Sequence, residues 1–208
     1  VVCHEADLTQ PQGVATLAAA AAGWGCNVVV HAAGIPAFGP LQSIAGKDMA
    51  AVLQTNLLAP MLLTQALLAH LCAQPQAQVI CVGSALGRIG LPGYSVYSAS
   101  KFGLRGFAEA LRRELADTAV RVQYLGPRST RTAFNSAGVN AYNQATGTAM
   151  DTPQLVATHL MALLASGAAE RFIGFPEALA VRINGAVPAW LDGSFKTHRR
   201  SLTVLPTT

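Results

Sequence analysis

Four short apolar runs separated by much longer helical stretches constrain the fold of this chain more than any other feature. The runs are Asn27–Ala32 (NVVVHA), Val79–Val82 (VICV), Val120–Leu125 (VRVQYL) and Arg171–Phe175 (RFIGF). They read as near-continuous apolar segments, the pattern of strands covered on both faces. Between them the sequence predicts helices over about Pro11–Ala22, Asp48–Ala73, Ser95–Ala116 and Pro153–Ser166. Strands that alternate with helices of this length form a parallel sheet, because each crossover must return the chain to the edge where the strand began. The expected fold is α/β, a doubly wound parallel sheet with helices on both faces. No internal repeat or low-complexity linker divides the chain. Residues 1–208 are therefore expected to form one domain, with 176–208 as a C-terminal extension.

Composition excludes several function classes. Apolar residues make up 51% of the chain and charged residues only 12%, so it can bury a core and is not a disordered segment. The net charge of +4 is spread along the chain and aromatics are sparse, which argues against a nucleic-acid surface. Arg199 and Arg200 in the C-terminal RRSLTVLPTT read as part of a solvated tail. Cys3, Cys26, Cys72 and Cys81 show no metal-ligand spacing and no disulfide framework, which agrees with a reducing cytoplasm. No continuous apolar stretch reaches the ~18 residues expected of a membrane span.

The chemistry concentrates around YSASK, where Tyr97 and Lys101 stand four residues apart. About one helical turn separates them, so both side chains project from one face. A phenol is a poor base at neutrality, but a neighbouring ammonium favours its ionised form. Ser84 ends the apolar run VICVGS, and its hydroxyl could hold a substrate oxygen while Tyr97 moves a proton. The bland alternative is a Tyr and a Lys side by side on a helix surface. Upstream, Pro60 lies inside the Asp48–Ala73 helix and cannot donate to the carbonyl of Asn56. A freed acceptor there could bind water, or the proline could simply kink the helix around the core.

The segment VICVGSALGRIGLPGYSVYSASKFGLRGFAEALRREL closely resembles the core of the short-chain dehydrogenase/reductase family, and the resemblance runs from about Asp7 to Phe175. It implies a Rossmann-like fold and an NAD(P)-dependent oxidoreductase interconverting a secondary alcohol and a ketone. By resemblance, Tyr97 is the general acid/base, Lys101 lowers its pKa and binds the nicotinamide ribose, Ser84 orients the substrate oxygen and Asn56 holds a relay water. The cofactor bed implied in the same way comprises Asp7 beside the adenine, the turn at Ala32, Ala33 and Gly34, and Pro127, Thr130 and Thr132, with Thr132 at the carboxamide. Three departures stand out. His31 and Ala32 replace two asparagines of the family's turn, Arg128 replaces a glycine, and the Gly-rich phosphate loop with its following strand is not in the chain. About sixty residues, two βα units at about thirty residues each, are therefore expected to precede Val1. The cofactor is expected to be NADP or NAD, the deciding strand lying in that earlier segment.

The competing reading is a non-catalytic or truncated member acting as an interaction or scaffold module; dehydration or epimerisation on the same scaffold is a third. The substrate is expected to be a small carbonyl or alcohol compound, with no nucleic-acid partner and no metal. Its pocket should lie over the strand C-terminal ends, bounded by Ala85–Tyr94 and by Ala133–Met150. The latter, rich in Asn, Gly, Ala and Thr, reads as a mobile lid whose Phe134, Tyr142 and Met150 hint at an apolar substrate. Residues 175–195 could form a helix carrying Leu179, Val181, Ile183, Val187, Trp190 and Leu191. The resemblance further implies a homodimer or homotetramer built through the Asp48–Ala73 and Ser95–Ala116 helices.

Overall fold

A computed structural model describes residues 1–174 and 177–203, without the side chains of 177–179, 190 and 203. The apolar runs become four strands: β1 (Val28–His31), β2 (Ala77–Val82), β3 (Val120–Gly126) and β4 (Glu170–Phe172). All pair in parallel in the order β1-β2-β3-β4, so each strand lies beside its predecessor in the chain. The last strand begins and ends earlier than expected; Phe175 falls outside the described residues.

The crossovers are helical, as the spacing requires. Helix α1 (Pro11–Gly23) precedes β1, and α2 (Gly46–Leu53) and α3 (Ala59–Cys72) join β1 to β2. Helix α4 (Ser95–Glu114) joins β2 to β3. Between β3 and β4 lie α5 (Ala137–Thr146) and α6 (Pro153–Ser166); α7 (Glu177–Ala186), a 3-10 segment (Pro188–Phe195) and α8 (Lys196–Thr203) follow. Alternation along the strands sorts the core. Val79 and Cys81 of β2 and Val122 and Tyr124 of β3 face α1, α3 and α4, whereas Ile80 and Leu125 face α6 through Leu163. Helices thus cover both faces.

Three expectations change. Residues 133–150 are not a plain loop: α5 starts at Ser136, whose hydroxyl accepts from the N–H of Val139, and ends at Gly147, with φ +66. Burial of Val139 and Tyr142 supplies the packing that the polar composition concealed. The Asp48–Ala73 helix is not one kinked α-helix but α2 and α3 joined by a π-helical turn, Gln54–Leu58. The two arginines of the expected tail lie on α8.

The stretch Gly46–Cys72 is long and apolar enough to cross a bilayer, although no sequence run suggested a span. Here it serves the core, burying Val52, Ala59, Leu63, Leu67 and Leu71. Within the C-terminal extension, Val181 packs on Ala85 and Ile89, while Ile183 is partly exposed at 38%. The side chains of Leu179 and Trp190 lie outside the description.

Candidate active site

Ser84 leaves the C-terminal end of β2, the edge at which a parallel sheet presents ligand-binding loops. Its backbone is held from the neighbouring strand. The Tyr124 hydroxyl accepts from the Ser84 N–H at 3.0 Å and donates to the Ser84 carbonyl at 2.9 Å. That hydroxyl occupies the space where a Cβ on Gly83 or Gly87 would project, so only glycine fits at either position. The Ser84 hydroxyl accepts from the Leu86 N–H at 3.1 Å, opening a short 3-10 turn.

Tyr97 and Lys101 lie on the first turns of α4, as their spacing predicts. Burial pushes the Tyr97 phenol up to about 12, and the Ser84 side chain beside it only partly offsets this. Lys101 donates to the Val82 carbonyl at 3.3 Å and sits 5.7 Å from the centroid of the Tyr97 ring. Burial pulls its ammonium down to about 8. Desolvation of both groups, rather than the expected pull of the ammonium on the phenol, dominates this pair.

Asn56 sits in the π turn and is fully buried. Its amide oxygen accepts from the Ile35 N–H at 2.8 Å, and its NH2 donates to the Ile35 carbonyl at 2.9 Å and to the Ser100 hydroxyl at 3.1 Å. Ser100 in turn donates to the Tyr97 carbonyl at 2.7 Å. The side chain of Asn56 therefore ties the loop after β1 to the helix of Tyr97. His31 is structural. Thr64 donates to the Pro60 carbonyl, so its oxygen accepts from His31 Nε2 at 2.8 Å. Burial holds that imidazole neutral, down to about 4.

A cavity of about 360 Å³ opens over these strand ends. Its wall gathers Ser84, Tyr97 and Lys101 with Ala32, Gly34, Pro127, Thr130 and Thr132. Asp7, Ala33 and Asn56 do not line it. Asp7 is exposed, accepting from both the N–H and the hydroxyl of Thr9, bonds that lower its pKa. Phe134 and Tyr142 line the cavity as expected, joined by Tyr94.

Tyr124, Ser100 and the ion pair of Arg128 with Asp151, at 2.8 Å, escaped the sequence reading. Each acts through a partner distant in sequence. Arg128 stood out in the sequence as a replacement for the family's glycine, but nothing there pointed to Asp151 as its partner.

Residues 1–143 match the family model of the short chain dehydrogenases. The chain is 43% identical to human 3-oxoacyl-[acyl-carrier-protein] reductase over 101 residues, 49% of this chain and 43% of that protein. It is 36% identical to oxidoreductase claN of Passalora fulva over 123 residues, 59% of this chain and 56% of the relative. The chain thus spans about half the length of these curated relatives. Among solved structures, a short chain dehydrogenase from Burkholderia cenocepacia in complex with NADP superposes with a TM-score of 0.79 at 23% identity, covering 92% of this chain and 77% of that one. A short-chain dehydrogenase from Streptomyces avermitilis gives 0.76 at 21%, covering 93% and 79%. Both likenesses carry the fold. With the family model matched over more than half of its length, this chain belongs to the short-chain dehydrogenase family.

Proposed function

We propose that this chain carries the proton-transfer and nicotinamide-binding part of an NAD(P)-dependent oxidoreductase that interconverts a ketone and a secondary alcohol. The observation that carries the reading is the meeting of Ser84, Tyr97 and Lys101 on one cavity wall. The donor set fits a nicotinamide ribose and carboxamide. Lys101 uses one of its three N–H bonds on Val82 and keeps two for ribose hydroxyls. Thr132 accepts from the Phe134 N–H and keeps its own hydroxyl proton for a carboxamide, whereas Thr130 donates to the Arg128 carbonyl. Ala32, Gly34 and Pro127 offer small surfaces against which a flat ring can lie. When bound, the dinucleotide supplies or accepts hydride.

In the reducing direction Ser84 holds the carbonyl oxygen and Tyr97 gives it a proton. With its pKa raised by burial, Tyr97 is protonated at neutral pH, and an alkoxide is a far stronger base than the phenolate left behind. The Lys101 ammonium stabilises that phenolate, and water on the Asn56 carbonyl returns the proton. Tyr97→Phe keeps the ring and removes the acid. Turnover is expected to fall by about 10²–10⁴-fold while the circular dichroism spectrum is retained. Near-normal turnover in that variant would overturn the reading. Self-association through Leu58, Met61 and Phe102, all exposed on the helices that join β1, β2 and β3, is a further part of the proposal.

A further inference from the structure

The half of the cavity beyond Tyr97 is walled by aromatic rings. Tyr94 lies 6.3 Å from the Tyr97 ring and Phe134 lies 6.0 Å from it on another segment, both tilted edge to face. Tyr142 backs Tyr94 at 5.8 Å, and Phe38 packs against both. Leu86, Leu91, Val139 and Val156 complete the wall.

This wall is preorganised. The Tyr142 hydroxyl is tied to the Pro92 carbonyl at 3.2 Å and to His198 Nδ1 at 2.7 Å, which joins α5 to the loop before α4 and to α8. A side chain on Gly93 would meet Leu202 of α8, so α8 is packed onto the same loop.

The charges are as telling as the rings. Lys101 and Arg128 are the cationic side chains on the wall, and no carboxylate lines it among the described residues. Lys101 belongs to the proton-transfer group, and Arg128 is engaged by Asp151. Among the described residues nothing beyond Tyr97 offers a counter-charge to a substrate anion, and desolvating an unpaired carboxylate there would be costly. A ring, in contrast, would find edge and face contacts on Tyr94 and Phe134.

We infer that the substrate is an uncharged ketone or secondary alcohol whose apolar, ring-bearing body lies between Tyr94 and Phe134, with Tyr142 bracing Tyr94 from behind. This rests on the oxidoreductase reading above and specifies its substrate class.

The test compares three carbonyl compounds on the full-length protein with NADPH and with NADH. Benzylacetone has the ring and no charge, benzylpyruvate has the same ring with a carboxylate beside the carbonyl, and butanone has the carbonyl without the ring. The keto acid is intrinsically the more electrophilic, so a preference for benzylacetone is attributable to the pocket. Benzylacetone is expected to exceed each of the others in kcat/KM by at least about tenfold. Saturation-transfer NMR should show magnetisation passing to its ring protons, and Phe134→Ala should weaken both the transfer and the preference over butanone. Preference for benzylpyruvate, or equal use of butanone, would overturn the inference and leave the oxidoreductase reading standing. Absence of turnover with all three would count against that reading instead. Absence of saturation transfer to benzylacetone overturns the inference whatever the turnover.

Discussion

On one side of the cavity Ser84 and Lys101 are fixed by partners that belong to the sheet: the Tyr124 hydroxyl on β3 and the Val82 carbonyl on β2. On the other side Tyr94 and Tyr142 are held by each other and by helix and loop segments, through ring contacts and the His198 and Pro92 bonds, while Phe134 leans on the Tyr97 ring. The first wall inherits the rigidity of hydrogen-bonded strands. The second can be rebuilt by changing side chains without touching the sheet. Proton transfer tolerates little misplacement, whereas recognition of an apolar body tolerates repacking, so the proposed chemistry and the proposed selectivity would sit on structures of matching stiffness.

The largest effect expected from a substitution at the joint between the walls is on stability. Arg128 follows the sheet strand β3, and Asp151 closes the segment that carries the ring wall. Asp151 is 4% exposed, so Arg128→Met would leave its carboxylate buried without that guanidinium. A loss of about 3–5 kcal/mol in urea unfolding is expected. A loss below about 1 kcal/mol would mean that the two walls are joined by packing alone.

The next test uses pH on the sheet side. The folded protein keeps His31 neutral down to about 4, while the unfolded chain takes up its proton near 6.5. Between those values the unfolded state binds more protons, so stability should fall as pH drops from about 6.5 towards 4, by roughly 3 kcal/mol in all. His31→Asn should flatten that dependence in melting curves; an unchanged slope would assign the acid sensitivity to other groups.

Smaller still is Tyr124→Phe, which strips the shared hydroxyl from the Ser84 backbone. Stability should drop by about 1–3 kcal/mol. Turnover should fall about tenfold with KM for the ketone nearly unchanged, because Ser84 shifts while the ring wall stays. A rise in KM with turnover intact would break the contrast between the two walls.

The strands and long helices were legible because continuous apolar runs and their spacing are local properties of the chain. Ser84, Tyr97 and Lys101 were legible for the same reason: a strand end and one helical turn bring them together. What escaped was carried by distant partners. Nothing near Tyr124 announces that its hydroxyl will meet Ser84 forty residues earlier. Helix α5 was hidden by its composition, since Asn, Gly and Thr are weak helix formers, and its stability comes from a serine cap and the burial of Val139, Tyr142 and Asn143. The proline at position 60 did mark an irregularity, but the backbone answers it with a wider turn instead of a bend.

That wider turn sets a rotational phase. Val52 and Leu71 are nineteen positions apart, yet both are buried, at 2% and 0% exposure. In an ideal α-helix eighteen positions complete about five turns, so a nineteenth would swing roughly 100° away from the core. The π turn absorbs the surplus residue and returns the two flanking helices to one common face. Asn56 is aimed inward by a count of residues: the turn around it acts as a one-residue spacer that keeps a long apolar rod in step with the sheet it lies on.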